Sequence, residues 1–158
     1  DRIEFAAATV AHAVLGSGEG SRLFRALRDR LGLTYSIASD VSPSRICGMM
    51  AVGVTCEPNQ AAEVFRIMQS EVATLKRCPP GEAEVQRAQA YLTSSFALGH
   101  QRNADVAHYL GLFDVLSPGR RESDLSAMVS AVTPDQVAAA AAWLTDRAVW
   151  VQVGGRRP

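Results

Sequence analysis

Residues 15–36 read LGSGEGSRLFRALRDRLGLTYS and carry the side chains most able to do chemistry: a glycine-rich turn, four arginines and a tyrosine. Phosphate binding is the first possibility to test. A dinucleotide fingerprint needs a strand before its glycines and the spacing G-x-G-x-x-G. Here a helical pattern precedes the turn and the glycines fall at 16, 18 and 20. A P-loop needs a lysine directly after its last glycine, but Ser21 and Arg22 follow Gly20, and Glu19 inside the turn would repel an anion. The turn therefore reads as a flexible helix-to-helix connection that can face a cavity.

The arginines and the tyrosine offer different chemistry. On a helical wheel Leu23, Phe24, Leu27 and Leu31 form the apolar face, and Arg22, Arg25 and Asp29 lie well outside it. Arg28 falls at the margin beside Phe24, where its stem can lie on the core and its guanidinium can reach a groove. Seven residues later, past the expected helix stop at Gly32, comes Tyr35 at the start of a strand. The two would meet on one concave surface, within about 10 Å, a permanent forked cation beside a phenol donor. The plainer assignment is a surface arginine in an ion pair and a half-buried sheet tyrosine. Spacing alone leaves both open.

Metal chemistry has little support. His12, His100 and His108 fall in neither H-x-x-E-H nor H-E-x-x-H, and no third ligand stands at zinc spacing. His12 is expected at the polar margin of the first helix. Cys47, Cys56 and Cys78 are odd in number and form no C-x-x-C pair, so reduced thiols are expected, the first two buried.

The elements that must position these residues follow from periodicity. Residues 3–15 are predicted helical, with Ile3, Ala7, Val10, Ala11 and Val14 on one stripe. Ser21 is placed to cap a helix over 22–31, with Gly32 as its terminating residue. Two strands, 33–41 and 46–56, are expected to form an antiparallel hairpin. Tyr35, Ile37 and Ser39 would lie on one face, and Thr34, Ser36 and Ala38 on the other. Helices are predicted from Pro58 to Lys76, Glu82 to Leu98, about 101–116 and about 122–131. A further helix is opened by the capping box Thr133-Pro134-Asp135-Gln136 and runs to Leu144. A final strand is expected over 148–153. The order ααββαααααβ is a helix-rich α+β domain with a short, mostly antiparallel sheet.

Three strands are few for so many helices. The chain opens at Asp1 and enters a helical pattern at once. Residues 1–158 are therefore expected to be a single domain cut from a longer protein, with a first strand missing before residue 1. An open sheet edge in such a fragment would favour self-association. Sixteen basic residues balance sixteen acidic ones, so nothing in the charge marks a nucleic acid or an anionic membrane as partner. No apolar run reaches the ~18 residues of a membrane span. Lys76 is the single lysine among those cations. The arginine and alanine bias points to a GC-rich bacterial source, and a cytoplasmic location is expected.

Several residue types recur at fixed offsets in LGSGEGSRLFRALRDRLGLTYSIAS: Ser21-Arg22-Leu23-Phe24, Leu27-Arg28, Gly32-Leu33 and Tyr35. With the hairpin, the helix after Pro58, GEAEVQRAQAYL, VTPDQV and the closing Gly154-Gly155, this pattern resembles the C-terminal homologous domain of the pitrilysin/insulinase zinc metallopeptidases, which include mitochondrial processing peptidase. The resemblance covers about residues 5–155. It implies an α+β half of a clam-shaped chamber. The zinc and its H-x-x-E-H motif would belong to an N-terminal domain or a partner subunit, with no cofactor in this chain. It also implies that Tyr35 donates a hydrogen bond to the scissile carbonyl of a peptide substrate and that Arg28 orients the peptide. The chain would then be the substrate-binding half of a zinc endopeptidase, inactive alone. The alternatives are a non-catalytic structural or scaffold subunit of the same family, or an unrelated α+β interaction module.

Overall fold

The computed structural model describes residues 2–42, 49–116, 123–145 and 148–154. Helix α1 spans Arg2–Gly16 and is followed, after the glycine turn, by a π-helix over Phe24–Arg30. Strands β1 (Thr34–Ser42) and β2 (Met49–Cys56) pair antiparallel. A 3-10 turn over Pro58–Gln60 leads into α2 (Ala61–Arg77). Then come α3 (Glu82–Gly99), α4 (Asn103–Leu116), α5 (Ser123–Ser130) and α6 (Pro134–Thr145). The architecture is mostly helical with a two-stranded antiparallel sheet among the described residues.

Helix α1 is the centre of the core. It was expected to bury one stripe, yet Ala6, Ala13 and Leu15 are as buried as Ala7, Val10, Ala11 and Val14. The reason is position: α3, α5 and α6 pack against it and the sheet covers it on another side, so it is buried nearly all round. Its alanines let these neighbours approach closely. Gln89 ties α3 to the end of α5, its side-chain N–H groups donating to the carbonyls of Val129 at 2.9 Å and Val132 at 2.9 Å. The expected capping box opens α6: Thr133 N–H donates to Gln136 Oε1 at 2.9 Å, and Gln136 N–H reaches Thr133 Oγ1 at 3.4 Å.

The final strand expected over 148–153 does not form. Ala148–Gly154 is irregular and pairs with neither strand. Val149, Val151 and Val153 lie in solvent, while Trp150 packs edge-on against Phe65 with ring centroids 4.9 Å apart. Alternating apolar residues favour a strand only where a partner edge is adjacent. A groove of about 950 Å³ separates this segment from β2. The apolar stripe of α2 faces the same groove, which leaves Met68 and Val72 only half-buried while Val64 and Leu75 are fully buried.

Candidate functional site

The glycine turn is built against α3. Gly18 has φ +74°, and a Cβ there would lie 2.9 Å from the Tyr91 ring, so only glycine fits. The turn lines a cavity of about 160 Å³ together with Glu84, Arg87 and Tyr91. Ser21 does not cap the following helix as expected. Its hydroxyl donates back to the Gly18 carbonyl at 2.8 Å and closes the turn on itself.

Leu23 and Leu27, fully buried, then anchor the π-helix. Its wider turn carries later residues off the stripe expected for 3.6 residues per turn. Leu31, expected on the buried face, is consequently half-exposed. Gly32, at φ +60°, ends the helix. Gly32 N–H returns to the Arg28 carbonyl at 3.1 Å and Leu33 N–H to the Leu27 carbonyl at 2.8 Å.

The four arginines separate by what they touch. Arg22 makes a two-pronged pair with Glu84 at 2.8 and 2.9 Å, and Arg25 reaches the same carboxylate at 3.6 Å. Burial pushes the Glu84 carboxyl up, but the bonds and charge of Arg22, with Arg25 and Arg87, outweigh it and hold it below the usual carboxylate range. Its hydrogen bond to Glu84 raises the pKa of Arg22. Arg30 is exposed. Arg28 is different: its Cζ lies 4.7 Å from the centre of the Phe24 ring and 4.6 Å from that of Tyr35. Among the described residues its guanidinium has no hydrogen-bond or ion-pair partner.

Tyr35 reaches Arg28 because the strand is irregular there. Thr34 pairs with Cys56 and Ser36 with Thr55, so two residues on β1 advance against one on β2. This is a β-bulge, and it re-aims the side chain at the extra position. The expected alternation therefore fails at its first member. Ile37 and Ser39 turn inward, whereas Tyr35 is 83% exposed. Thr34 secures the bulge: its hydroxyl donates to the Thr55 carbonyl, and it accepts the Ser36 N–H at 3.2 Å. The predicted proximity of Arg28 and Tyr35 is thus present in the fold. Neither the turn cavity nor the groove beside β2 is lined by either residue.

His12 is the functional-looking residue that periodicity misplaced. It is 8% exposed, and its Nδ1 lies 3.1 Å from both Ser17 Oγ and Ser39 Oγ. Ser17 and Ser39 hydroxyls are 2.6 Å apart, and Ser39 also reaches the His12 carbonyl at 3.2 Å. One assignment gives all three hydrogens an acceptor: Nδ1–H donates to Ser17, Ser17 to Ser39, and Ser39 to the His12 carbonyl. Burial lowers the imidazole pKa to about 4, against a smaller raising effect of Asp40. The serines are the signal that was missed, but they lie 5 and 27 residues away from the histidine.

These residues do not fit a zinc ion. Among the described residues no three of His, Cys, Asp and Glu gather at one point. The His12 ring is turned into the serines, and the His100 Nδ1 is 2.6 Å from the Phe96 carbonyl. Cys56 is half-buried and Cys78 exposed, both as free thiols, and Cys47 lies outside the described residues. No helix is long and apolar enough to cross a membrane among the described residues.

The sequence profile of the family described as the peptidase M16 inactive domain matches residues 4–92. An uncharacterized zinc protease of Streptomyces coelicolor is 33% identical over 151 residues, covering 94% of this chain and 31% of that protein. One from Mycobacterium tuberculosis is 30% identical over 143 residues, covering 89% of this chain and 32% of that protein. The chain thus spans about a third of the length of these relatives. The crystal structure of a peptidase M16 inactive domain from Pseudomonas fluorescens matches with a TM-score of 0.77 at 24% identity, over 89% of this chain and 34% of that one. A protease from Helicobacter pylori matches at 0.75 and 17% identity, over 87% and 34%. Both structural likenesses concern the fold. With more than half of its residues matched by the profile, this chain belongs to the peptidase M16 inactive-domain family.

Proposed function

We propose that this chain is the substrate-binding half of a zinc endopeptidase, in which Arg28 and Tyr35 hold a peptide that another domain cleaves. The observation that supports it is the Arg28 guanidinium: its N–H donors are unspent among the described residues, and it lies against the exposed Tyr35 ring. The zinc and the general base would come from an N-terminal H-x-x-E-H domain, in the same longer chain or in a partner subunit, because the residues here do not fit them. That domain would also supply the opposite wall of the cleft, since the Arg28/Tyr35 surface is open in this chain. Arg28 donates in the plane of its guanidinium to peptide oxygens. Tyr35 donates its O–H to the scissile carbonyl as negative charge builds there.

The test is made in the complete protein with a quenched fluorescent peptide of mixed sequence. Tyr35→Phe removes one donor and keeps the ring. A fall in kcat of roughly 10²–10³ is expected, the scale seen when one such donor is lost. Arg28→Ala is expected to raise KM as well, because its contacts form in the ground state. Unchanged kcat/KM in both variants at unchanged Tm would refute this reading and leave the chain as a scaffold half.

A further inference from the structure

The arginine that is free to bind is also the one that two rings hold. Leu23 and Leu27, on either side of Phe24 in sequence, are fully buried. Phe24 is only half-buried and stands outside the hydrophobic core cluster. A large ring on the helix facing neither the core nor open solvent needs another use. The contact it makes is with Arg28, 4.7 Å from ring centre to Cζ. A guanidinium stacked on a ring uses its face and leaves its in-plane N–H donors available. Glu84 does not compete for Arg28, because it is occupied by Arg22 and Arg25. The bulge at Thr34/Ser36 brings Tyr35 onto the same cation.

We propose that Phe24 is a positioning residue. It seats the Arg28 guanidinium so that its donor edge is presented in a fixed plane to carbonyl or carboxylate oxygens of a peptide. Phe24 itself need not touch the peptide. The inference rests on the substrate-binding reading above, and it adds a requirement: the ring at 24 must be electron-rich as well as apolar. An aliphatic side chain of similar bulk fills the space but offers no negative face. A fluorinated ring keeps the shape and weakens that face.

The experiment uses the complete protein labelled with ¹⁵N-arginine, with the same fluorescent peptide for kinetics. In the unmodified protein the Arg28 Nε–H resonance is expected to be displaced by the ring currents of its two neighbours. Phe24→Leu, and trifluorophenylalanine at 24 as the variant that keeps the shape, are compared with Phe24→Trp and Arg28→Ala. Phe24→Leu is expected to move the Nε–H resonance toward the free-arginine position and raise KM about 5–20-fold with kcat within about twofold, the order of effect of losing one exposed-to-buried cation–π contact. Trifluorophenylalanine should raise KM in the same direction, and Phe24→Trp should keep KM near that of the unmodified protein. A resonance unmoved by Phe24→Leu would overturn the proposal. So would a moved resonance with unchanged KM when Arg28→Ala does raise KM. If Arg28→Ala leaves the kinetics unchanged, the substrate-binding reading itself falls, and the positioning role with it.

Discussion

Lowering the pH from 7 to 5 should destabilise this chain through His12. The ring is buried, and Nδ1 is turned into Ser17 and Ser39 at 3.1 Å each. Adding a proton would create a buried cation, and burial already lowers the folded pKa to about 4 from 6.5. The unfolded chain therefore takes up the proton first as pH falls. Stability from this group is full above about pH 6.5, declines between there and about pH 4, and changes no further below that. With those two values, linkage gives a loss of about 2 kcal/mol between pH 7 and pH 5 and on the order of 3 kcal/mol by pH 4. Urea denaturation at pH 7, 6 and 5 would measure it. His12→Gln cannot take up a proton, so the pH-dependent part of the loss should shrink by the same ~2 kcal/mol. The variant should also be less stable at pH 7 by about 1–3 kcal/mol, since the two serines lose part of their hydrogen bonding. Equal losses between pH 7 and 5 in both proteins, or an NMR titration placing the His12 pKa above 6, would refute the reasoning.

Glu84→Gln should cost about 1–3 kcal/mol, because Arg22 and Arg25 would be left facing each other without the carboxylate that joins the π-helix to α3. Glu82→Gln on the same helix, exposed to solvent, should shift the denaturation midpoint far less, and equal shifts would show that the Glu84 pair is not structural. Copies of the isolated chain should associate, because β2 pairs only with β1 among the described residues and the apolar groove beside it is open; a sedimentation profile that stays monomeric as concentration rises would argue against this.

What the sequence by itself determined were features decided within a turn or two of chain. The helix that follows Pro58, the Thr133–Gln136 capping box and the Gly32 helix stop rest on neighbours three to five residues apart. The motif around Arg28 and Tyr35 was legible in the same way, since both lie at the ends of one helix-to-strand junction. The arginines were not sorted by periodicity. Arg22 and Arg25 are tied up by Glu84, about 60 residues away, which leaves Arg28 and Arg30, and of these Arg28 is the one that lies against two rings. The aim of Tyr35 depends on a bulge pinned by Thr55, across the hairpin from Thr34. His12 was expected at a polar margin, but α1 is covered by three helices and the sheet, so a polar ring there had to find Ser39. The segment 148–154 has strand-like residues and no strand, because strand formation needs a facing edge and a groove lies where that edge would be. Local hydrogen bonding and side-chain periodicity are properties of a short stretch of chain. Which cation is left unpaired, which ring is turned outward and which histidine is buried depend on partners that only the folded chain brings within reach.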